Sequence, residues 1–360
     1  SSYVAQPLHQ ALVMTAEPQD VGGGGRELVD YGAETAVAGV LRSVDASGAW
    51  TGQHHTDLLR ILSDDGVCVL RGLYSKELTE QLTTAYMSAW SRTKEHMCAD
   101  GDNAPKWQRR VLADCNVDPL TCADLYHKIP TMILDESHYV NGGREADVIR
   151  MGKGRYDFKT YMANTPLASD ALLKPPPVLQ ALRALLGRDH HWIAYPGGLP
   201  AEGPCGNGRW HRDQLELFDR EAISNEMQLP PVYFTMIAPL TKVGQDDGPT
   251  QFRIGSHKLI APEEIRRTPL ASTELVPGDA VLFNGRIVHR GSARSQSAGA
   301  RHAYYVAFHK YWYIDDDFRL ADINGWCAIE DVPQEDVEKI EEEEPWLKKR
   351  KMNSDEAVPN

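Results

Sequence analysis

The segment VPGDAVLFNGRIVHRGS, residues 276–292, carries the pattern that decides the fold. Its two β-prone runs, AVLF and RIVH, are separated by turn residues, and Pro-Gly-Asp precedes the first of them. Runs of the same kind, HWIAYP, VYFTMIAPL and HAYYVAFHKYWY, recur between residues 191 and 313. Short strands at close intervals, with Gly and Pro turns between them, are typical of an all-β sandwich or barrel.

Helices are predicted before this β-rich region. In DDGVCVLRGLYS, residues 64–75, a short strand is followed by Ser75, a typical helix N-cap, and then by Leu78 and Leu82 on one stripe. A second helix pattern, VLQALRALLG, ends at Gly187. We predict three parts of the chain: an irregular extension at residues 1–50, a single domain at residues 51–320, and a charged helix or tail at residues 321–360.

The composition and net charge of the chain limit which classes of molecule it is expected to bind. The chain has 360 residues and a formal net charge of -13, and this charge argues against nucleic acid or an anionic membrane as a partner. Small anionic substrates remain compatible with it, because a few local arginines can override the overall field. The sequence contains neither a transmembrane run nor a signal peptide pattern, and its six cysteines form no CxxC pair. We therefore expect a cytoplasmic protein with free thiols, and no pattern indicates its oligomeric state.

Two His-x-Asp pairs occur, and their surroundings distinguish them. His55 and Asp57 lead into TDLLRILSDDG, an amphipathic helix pattern, where Thr56 or Asp57 is expected to act as an N-cap. His211 and Asp213, in GRWHRDQLE, follow a glycine-rich stretch at the edge of the β region. On a strand, residues i and i+2 point to the same side, so these two side chains can converge on one metal ion.

A catalytic metal requires a third ligand, for which His257 and His289 are the candidates. Two histidines and one carboxylate on one face suit iron(II) and leave coordination sites open for oxygen chemistry. Such an enzyme also binds a co-substrate carboxylate, and arginine is the residue suited to bidentate carboxylate binding. Arg301 follows His289 in an alternating strand pattern, whereas the arginines after His257 lie in a helical turn. We therefore predict His289 as the ligand and Arg301 as the carboxylate-binding residue.

The ordered set WHRD, DDGPTQFRIGSHK and PGDAVLFNGRIVHRGS, followed by Arg301, resembles the phytanoyl-CoA dioxygenase family of iron(II)/2-oxoglutarate oxygenases. The resemblance covers residues 56–312 and includes the entry segment LSDDGVCVLRGLYS. It implies a mainly β fold with flanking helices, built on a double-stranded β-helix, or jelly-roll, core.

The resemblance also implies roles for individual residues. His211, Asp213 and His289 would hold the iron, and Arg301 would pair with the distal carboxylate of 2-oxoglutarate. Thr235 stands where the family often has a hydroxyl beside that carboxylate. Arg294 stands where the family often has asparagine and is the substitute for Arg301, which falls one residue late.

The implied reaction consumes 2-oxoglutarate and O2 at iron(II) and oxidises a C–H bond of a small carboxylate-bearing metabolite. The outcome is hydroxylation, desaturation or oxidative cyclisation, the last as in kainoid synthases, and the expected substrate is an amino-acid-derived natural product. Arg253, Tyr195 and Tyr305 are expected to line the substrate pocket. Two alternatives stay open: a non-catalytic binding or sensing protein of the same fold, and an oxygenase that hydroxylates a protein.

Overall fold

A computed structural model provides the structure of the protein. It describes residues 37–97, 107–110, 132–134, 138–140, 143–152, 154–160, 167, 169–188, 192–208, 210–214, 229–295, 298–310, 312–313 and 328–331. The described helices are α1 (Gly52–Asp65), α2 (Lys76–Met97), α3 (Asp170–Leu173), α4 (Pro176–Leu185) and α5 (Pro262–Arg267).

Strands dominate the rest of the described chain. In chain order they are β1 (Ser43–Asp45), β2 (Val67–Arg71), β3 (Trp107–Arg110), β4 (Met132–Leu134), β5 (His138–Val140), β6 (Gly143–Gly152), β7 (Arg155–Thr160), β8 (Trp192–Gly198), β9 (Tyr233–Pro239), β10 (Thr250–Arg253), β11 (Leu270–Ser272), β12 (Ala280–Asn284), β13 (His289–Gly291), β14 (Ala303–Lys310) and β15 (Ala328–Asp331).

Two sheets form the core of the fold. The larger sheet has the order β1-β2-β12-β9-β14-β8-β7-β6-β4-β3-β15, with β5 paired to β6, and the smaller sheet has the order β11-β10-β13. Isolated bridges then place residues 205 and 211 beside residues 294 and 289, which adds a fourth segment to the smaller sheet. Antiparallel strands that alternate between two facing sheets in this way form a jelly roll, so the predicted fold class is confirmed.

The central strands of the larger sheet are buried on both faces, which explains their nearly continuous apolar sequence. On β14, Tyr304, Val306 and Phe308 belong to the core shared with helices α1, α2 and α4. The alternate residues Ala303, Tyr305 and Ala307 face the smaller sheet and pack in a second core with Phe252 of β10. The second face is the interior of the jelly roll, where the functional residues gather.

The helices begin and end at identifiable caps. The Ser75 Oγ accepts from the Leu78 N–H at 3.2 Å, so the predicted start of α2 is confirmed. The expected N-cap near Asp57 is wrong, because Thr51 caps α1 through the His54 N–H at 3.3 Å and residue 57 lies inside the helix. Helix α1 stops at Gly66, whose φ of 79° is accessible mainly to glycine.

The described parts of the two terminal regions contain strands that were not predicted. Residues 43–45, predicted as part of an irregular extension, form β1 and pair in parallel with β2 because that strand has an open edge. In the predicted charged tail, residues 328–331 form β15, which pairs with β3. Residues 1–36, 314–327 and 332–360 lie outside the described residues, and the predicted domain boundaries stay predictions.

Cys68 and Cys205 are the cysteines that the described residues include, and both are free thiols, as predicted for those two positions. Burial raises the pKa of the Cys68 thiol to about 12. Among the described helices, none has both the length and the apolar character needed to cross a membrane.

Candidate metal centre

Two antiparallel segments bring the candidate histidines together. The His211 N–H donates to the His289 carbonyl at 2.9 Å, and the reverse bond has the same length. The two imidazole centroids are 4.2 Å apart. Residues opposite each other in antiparallel strands point to the same face, so both rings face the jelly-roll interior.

Asp213 completes a cluster of three ligand groups. One ligand atom from each of His211, Asp213 and His289 lies within 4.8 Å of the others. The Asp213 Oδ1 is 3.3 Å from the His289 Nε2 and 3.6 Å from the His211 Nε2. In the described part of the chain, this is the group of three or more His, Cys, Asp or Glu residues arranged for a metal ion. An ion among these atoms would have ligands on one side only.

The His289 ring is held with one nitrogen directed towards this cluster. Its Nδ1 lies 3.1 Å from the Ile287 carbonyl, which can only accept a hydrogen bond, so Nδ1 carries a proton and Nε2 is the nitrogen that faces Asp213 and would bind a metal ion. Phe252 and Phe283 flank the ring at centroid distances of 5.6 and 4.8 Å. This packing fixes the orientation of the imidazole before any ligand binds.

The charges of the three groups are complementary. Burial alone would raise the pKa of Asp213, but the neighbouring His289 and His211 and the hydrogen bonds to His289 and Thr235 lower it to about 2. Asp213 is therefore a carboxylate at neutral pH. Burial opposes the charged form of His289, yet the Asp213 carboxylate raises its pKa overall. A cation between these groups replaces the proton that they otherwise attract.

Thr235 contacts Asp213, one of the three candidate metal ligands. Its hydroxyl donates to the Asp213 Oδ2 at 2.6 Å, which leaves Oδ1 directed towards the two imidazoles. The predicted contact with the distal carboxylate of 2-oxoglutarate therefore competes with an observed hydrogen bond to a candidate ligand. Groups of this kind orient a ligand and tune its affinity for the metal.

Replacing Thr235 with valine is expected to weaken iron(II) binding about tenfold, because Asp213 loses the hydroxyl that fixes its rotamer. The measurement is competition for iron(II) against a chelator of known affinity. Thr273→Val is the matched control, since Thr273 is also a buried threonine, bonded to the Thr250 backbone away from the cluster. Unchanged iron affinity combined with weaker 2-oxoglutarate binding would instead support the carboxylate contact predicted from sequence.

Arg301 is buried, and it has no carboxylate partner among the residues that the structure describes. It precedes β14 by two residues and bridges to Ala201, with its N–H donating to the Ala201 carbonyl at 2.8 Å. The Nη1 donates to the Gly248 carbonyl, whereas the buried Nε has no hydrogen-bond partner. Burial, followed by the charges of Arg155 and Arg294, lowers the pKa of Arg301 to about 10. A buried cation beside like charges favours a bound anion.

Arg294, the predicted substitute, is committed to backbone carbonyls. The Nη1 donates to Ala201 at 2.8 Å and to Gly203 at 2.7 Å, Nε donates to Asp247 at 3.2 Å, and Nη2 donates to Gly299. These contacts join three loops at one end of the jelly roll. Arg294 therefore has a supporting role in the described structure, and Arg301 is the better candidate for a ligand anion.

The predicted substrate residues have different surroundings. Arg253 is 0% exposed, donates to the carbonyls of Arg266 and Thr268, and lies 5.2 Å from the Trp210 ring, contacts that favour a structural role. Tyr305 faces the interior, and its hydroxyl donates to the Asp157 Oδ1 at 2.9 Å. The Tyr195 side chain lies outside what the structure describes.

His257, the competing candidate ligand, lies apart from the cluster. Its Nε2 is 3.2 Å from the Ser63 carbonyl, and burial lowers its pKa to about 4, so the ring is neutral at pH 7. A Cβ at Gly66 would come within 2.4 Å of its Nδ1. His257 thus packs the end of α1 against the turn after β10.

Sequence reasoning missed Arg155 and Asp157. The segment RYDFK alternates polar residues with Tyr156 and Phe158, which is the signal of a strand with one polar face. In the structure this strand is β7, which pairs with β8; its Asp157 accepts from the Tyr305 hydroxyl, and its Arg155 forms a bridge with Ala201. The alternation of polar and aromatic residues was visible in the sequence, but the sequence did not show that this strand pairs with β8.

Comparison with known proteins gives the family of the chain. Residues 62–303 match the family described as phytanoyl-CoA dioxygenase (PhyH), a range that includes all three candidate ligands and Arg301. "Dioxygenase hkm4" of Aspergillus hancockii is 31% identical over 127 residues, which cover 35% of this chain and 40% of that protein. "Dioxygenase easH" of Epichloe festucae var. lolii is 36% identical over 87 residues, which cover 24% of this chain and 45% of that protein. The chain thus spans less than half the length of these curated relatives.

Solved structures show a looser likeness. AviO1 from Streptomyces viridochromogenes Tue57 has 14% identity and a TM-score of 0.46, with 72% of this chain and 96% of that chain covered. SnoN, described as a non-heme alpha ketoglutarate dependent epimerase from nogalamycin biosynthesis, has 16% identity and a TM-score of 0.42, with 72% of this chain and 84% of that chain covered.

Proposed function

Since this chain belongs to the phytanoyl-CoA dioxygenase family, we propose that it is an iron(II)- and 2-oxoglutarate-dependent dioxygenase that oxidises a C–H bond of a small carboxylate-bearing metabolite. The observation that carries the proposal is the convergence of His211, Asp213 and His289 within 4.8 Å of one another in the jelly-roll interior. The family resemblance predicted from the sequence motifs is confirmed.

The donor set fits iron(II). Two neutral imidazoles and one carboxylate, all on one side of the ion, are the ligands of non-heme iron oxygenases, and they leave three positions for other ligands. When bound, iron(II) supplies the activation of O2, with oxidation of 2-oxoglutarate to succinate and CO2 providing the two electrons that the hydroxylation requires.

Side chains of the protein would orient both the metal ligands and the 2-oxoglutarate. His289 presents Nε2 because Ile287 holds its Nδ1–H, and Asp213 presents Oδ1 because Thr235 holds its Oδ2. The Arg301 guanidinium, with its buried Nε unpartnered, would take the distal carboxylate of 2-oxoglutarate. Phe252 and Phe283, on the strands around His289, limit the access of water from that side.

The class of primary substrate follows from the lining of the interior. The Tyr305–Asp157 pair, together with Arg155, whose charge acts on Arg301, gives this part of the fold a polar, partly cationic character. This character suits a small acid, of which an amino-acid-derived natural product is one kind, better than an apolar ligand. The relatives named as dioxygenases are compatible with hydroxylation, and with desaturation or cyclisation as variants of the same C–H oxidation.

The test is aerobic incubation of the protein with iron(II), ascorbate and 2-oxoglutarate, measuring succinate formed and O2 consumed. The wild type is expected to convert 2-oxoglutarate slowly alone and faster with a matching substrate from a panel of small carboxylic acids and peptides. Asp213→Ala is expected to form no succinate above background. Tight binding of 2-oxoglutarate without succinate would contradict the proposal and identify a binding protein, and stimulation by peptides alone would contradict the substrate class.

A further inference from the structure

Arg155 and Arg301 stand in one row across the larger sheet. Ala201 forms an antiparallel bridge with each of them, so it lies between the two arginines. Residues directly opposite each other in antiparallel strands point to the same face. Since neighbouring strands are about 4.8 Å apart, the two arginine Cα atoms lie roughly 10 Å apart. Only the methyl group of Ala201 stands between their side chains.

The Arg155 side chain crosses from this sheet to the segments that carry the metal-binding histidines. Its Nε donates to the Cys205 Sγ at 3.0 Å, and its Nη2 donates to the carbonyls of Gly206, at 3.1 Å, and Ser292. These three bonds fix the guanidinium plane in the interior. The remaining nitrogen, Nη1, has no hydrogen bond within the described part of the chain.

Two facing glycines make space for that nitrogen. The Gly208 N–H donates to the Gly291 carbonyl at 2.8 Å. A Cβ at Gly291 would be 2.2 Å from the Arg155 Nη1, and a Cβ at Gly208 would be 3.2 Å from it. Gly291 follows His289 by two residues in β13, a separation of roughly 6–7 Å along the strand. The Arg155 Nη1 therefore lies against β13 on the face that carries His289, two residues along the strand from it.

Three guanidinium groups gather here, and each acts on the charge of at least one other. Among the described residues, none of the guanidinium groups of Arg155, Arg294 and Arg301 forms an ion pair with a carboxylate, although their charges act on one another. Arg294 uses all its nitrogens on carbonyls, whereas the Arg155 Nη1 and the Arg301 Nε are left for a ligand. Two guanidinium groups with nitrogens left for a ligand favour a carboxylate held by both.

We propose that Arg155 is a second binding residue for the distal carboxylate of 2-oxoglutarate and shares that carboxylate with Arg301. The inference rests on the proposed function, because it assumes that 2-oxoglutarate chelates the metal at His211, Asp213 and His289. From ordinary bond lengths, the distal carboxylate then extends roughly 6 Å from the metal-bound end. This reach is comparable with the roughly 6–7 Å along β13 between His289 and Gly291, the residue that the Arg155 Nη1 adjoins.

The experiment compares two ligands that differ only in the distal group. 2-Oxoglutarate and 2-oxobutanoate share the chelating end, but 2-oxobutanoate lacks the second carboxylate. Their dissociation constants are measured anaerobically, from the visible charge-transfer band of the iron(II)-loaded protein, for the wild type, Arg155→Gln, Arg301→Gln and Arg60→Gln. Arg60→Gln is the charge-matched control, because Arg60 lies exposed on α1.

Arg155→Gln is expected to weaken 2-oxoglutarate binding about 10- to 100-fold, the range for loss of a charged hydrogen bond, and to change 2-oxobutanoate binding less than about twofold. Equal weakening of both ligands would overturn the inference, since Arg155 would then only support the fold. Unchanged affinity for both, with slower turnover of the primary substrate, would also overturn it and assign Arg155 to the substrate. A wild type that binds neither ligand at the iron would overturn the proposed function together with this inference.

If Arg155→Gln folds poorly, the same two dissociation constants are measured for Arg155→Lys. A lysine retains the charge but lacks the planar fork with which Arg155 bonds Cys205, Gly206 and Ser292 and still has Nη1 for a carboxylate. We expect a smaller loss of 2-oxoglutarate affinity than for Arg155→Gln, again with 2-oxobutanoate binding preserved. Wild-type affinity for 2-oxoglutarate in a folded Arg155→Lys, or a loss shared by both ligands, would contradict the shared-carboxylate geometry.

Discussion

Replacing His289 with alanine is expected to reduce 2-oxoglutarate turnover by about a thousandfold or more, because the metal on which the chemistry depends loses its buried ligand. The residue is 5% exposed, and Ile287, Phe252 and Phe283 hold its ring in place. Bound iron, measured after gel filtration, should fall together with succinate formation.

His257→Gln is the matched control for that variant. His257 is also buried and neutral, but it contacts Ser63 and the turn at Gly66. The glutamine variant is expected to lose stability, seen as a lower Tm, and to retain iron and turnover per folded molecule. If His257→Gln lost the metal while His289→Ala kept it, the ligand assignment would be wrong.

Replacing Arg301 with glutamine is expected to weaken 2-oxoglutarate binding about 100-fold or more, since truncating one partner of a buried charge pair typically costs about 2–5 kcal/mol. The loss should appear as a raised KM for 2-oxoglutarate. Iron binding should be unchanged, because no Arg301 contact reaches the three ligands.

Arg294→Gln separates the two arginines. Arg294 bonds the carbonyls of four residues on three loops, so its loss should lower the Tm. Its effect on the affinity for 2-oxoglutarate should be much smaller than that of Arg301→Gln. The opposite ranking of the two variants would transfer the carboxylate-binding role to Arg294, the substitute that the sequence pattern allowed.

The pairing of His211 with Asp213 in the candidate metal cluster could be predicted from sequence because it is local, whereas His289 was chosen through the arginine that follows it in the chain. His211 and Asp213 share a face through the two-residue period of a strand, and the arginine that follows His289 in a strand distinguished that histidine from His257. The alternation in β14 likewise predicted which of its residues face the interior. Each of these inferences needs only the direction of side chains along one strand.

Contacts between distant segments could not be predicted in this way. Arg155 lies beside Arg301 only because β7 pairs with β8, and the pattern RYDFK does not specify its neighbour. The bond from Thr235 to Asp213, and the four carbonyls around Arg294, depend equally on tertiary geometry. Propensity and periodicity describe one element at a time, so they leave such partners undetermined.

Anaerobic titration of the metal-free protein with iron(II), followed by 2-oxoglutarate, tests the central claim most directly. We expect one iron per chain and a weak visible charge-transfer band when 2-oxoglutarate is added, both lost in His211→Ala and in His289→Ala. Iron bound without any spectral response to 2-oxoglutarate, or a band of wild-type strength in either histidine variant, would contradict it.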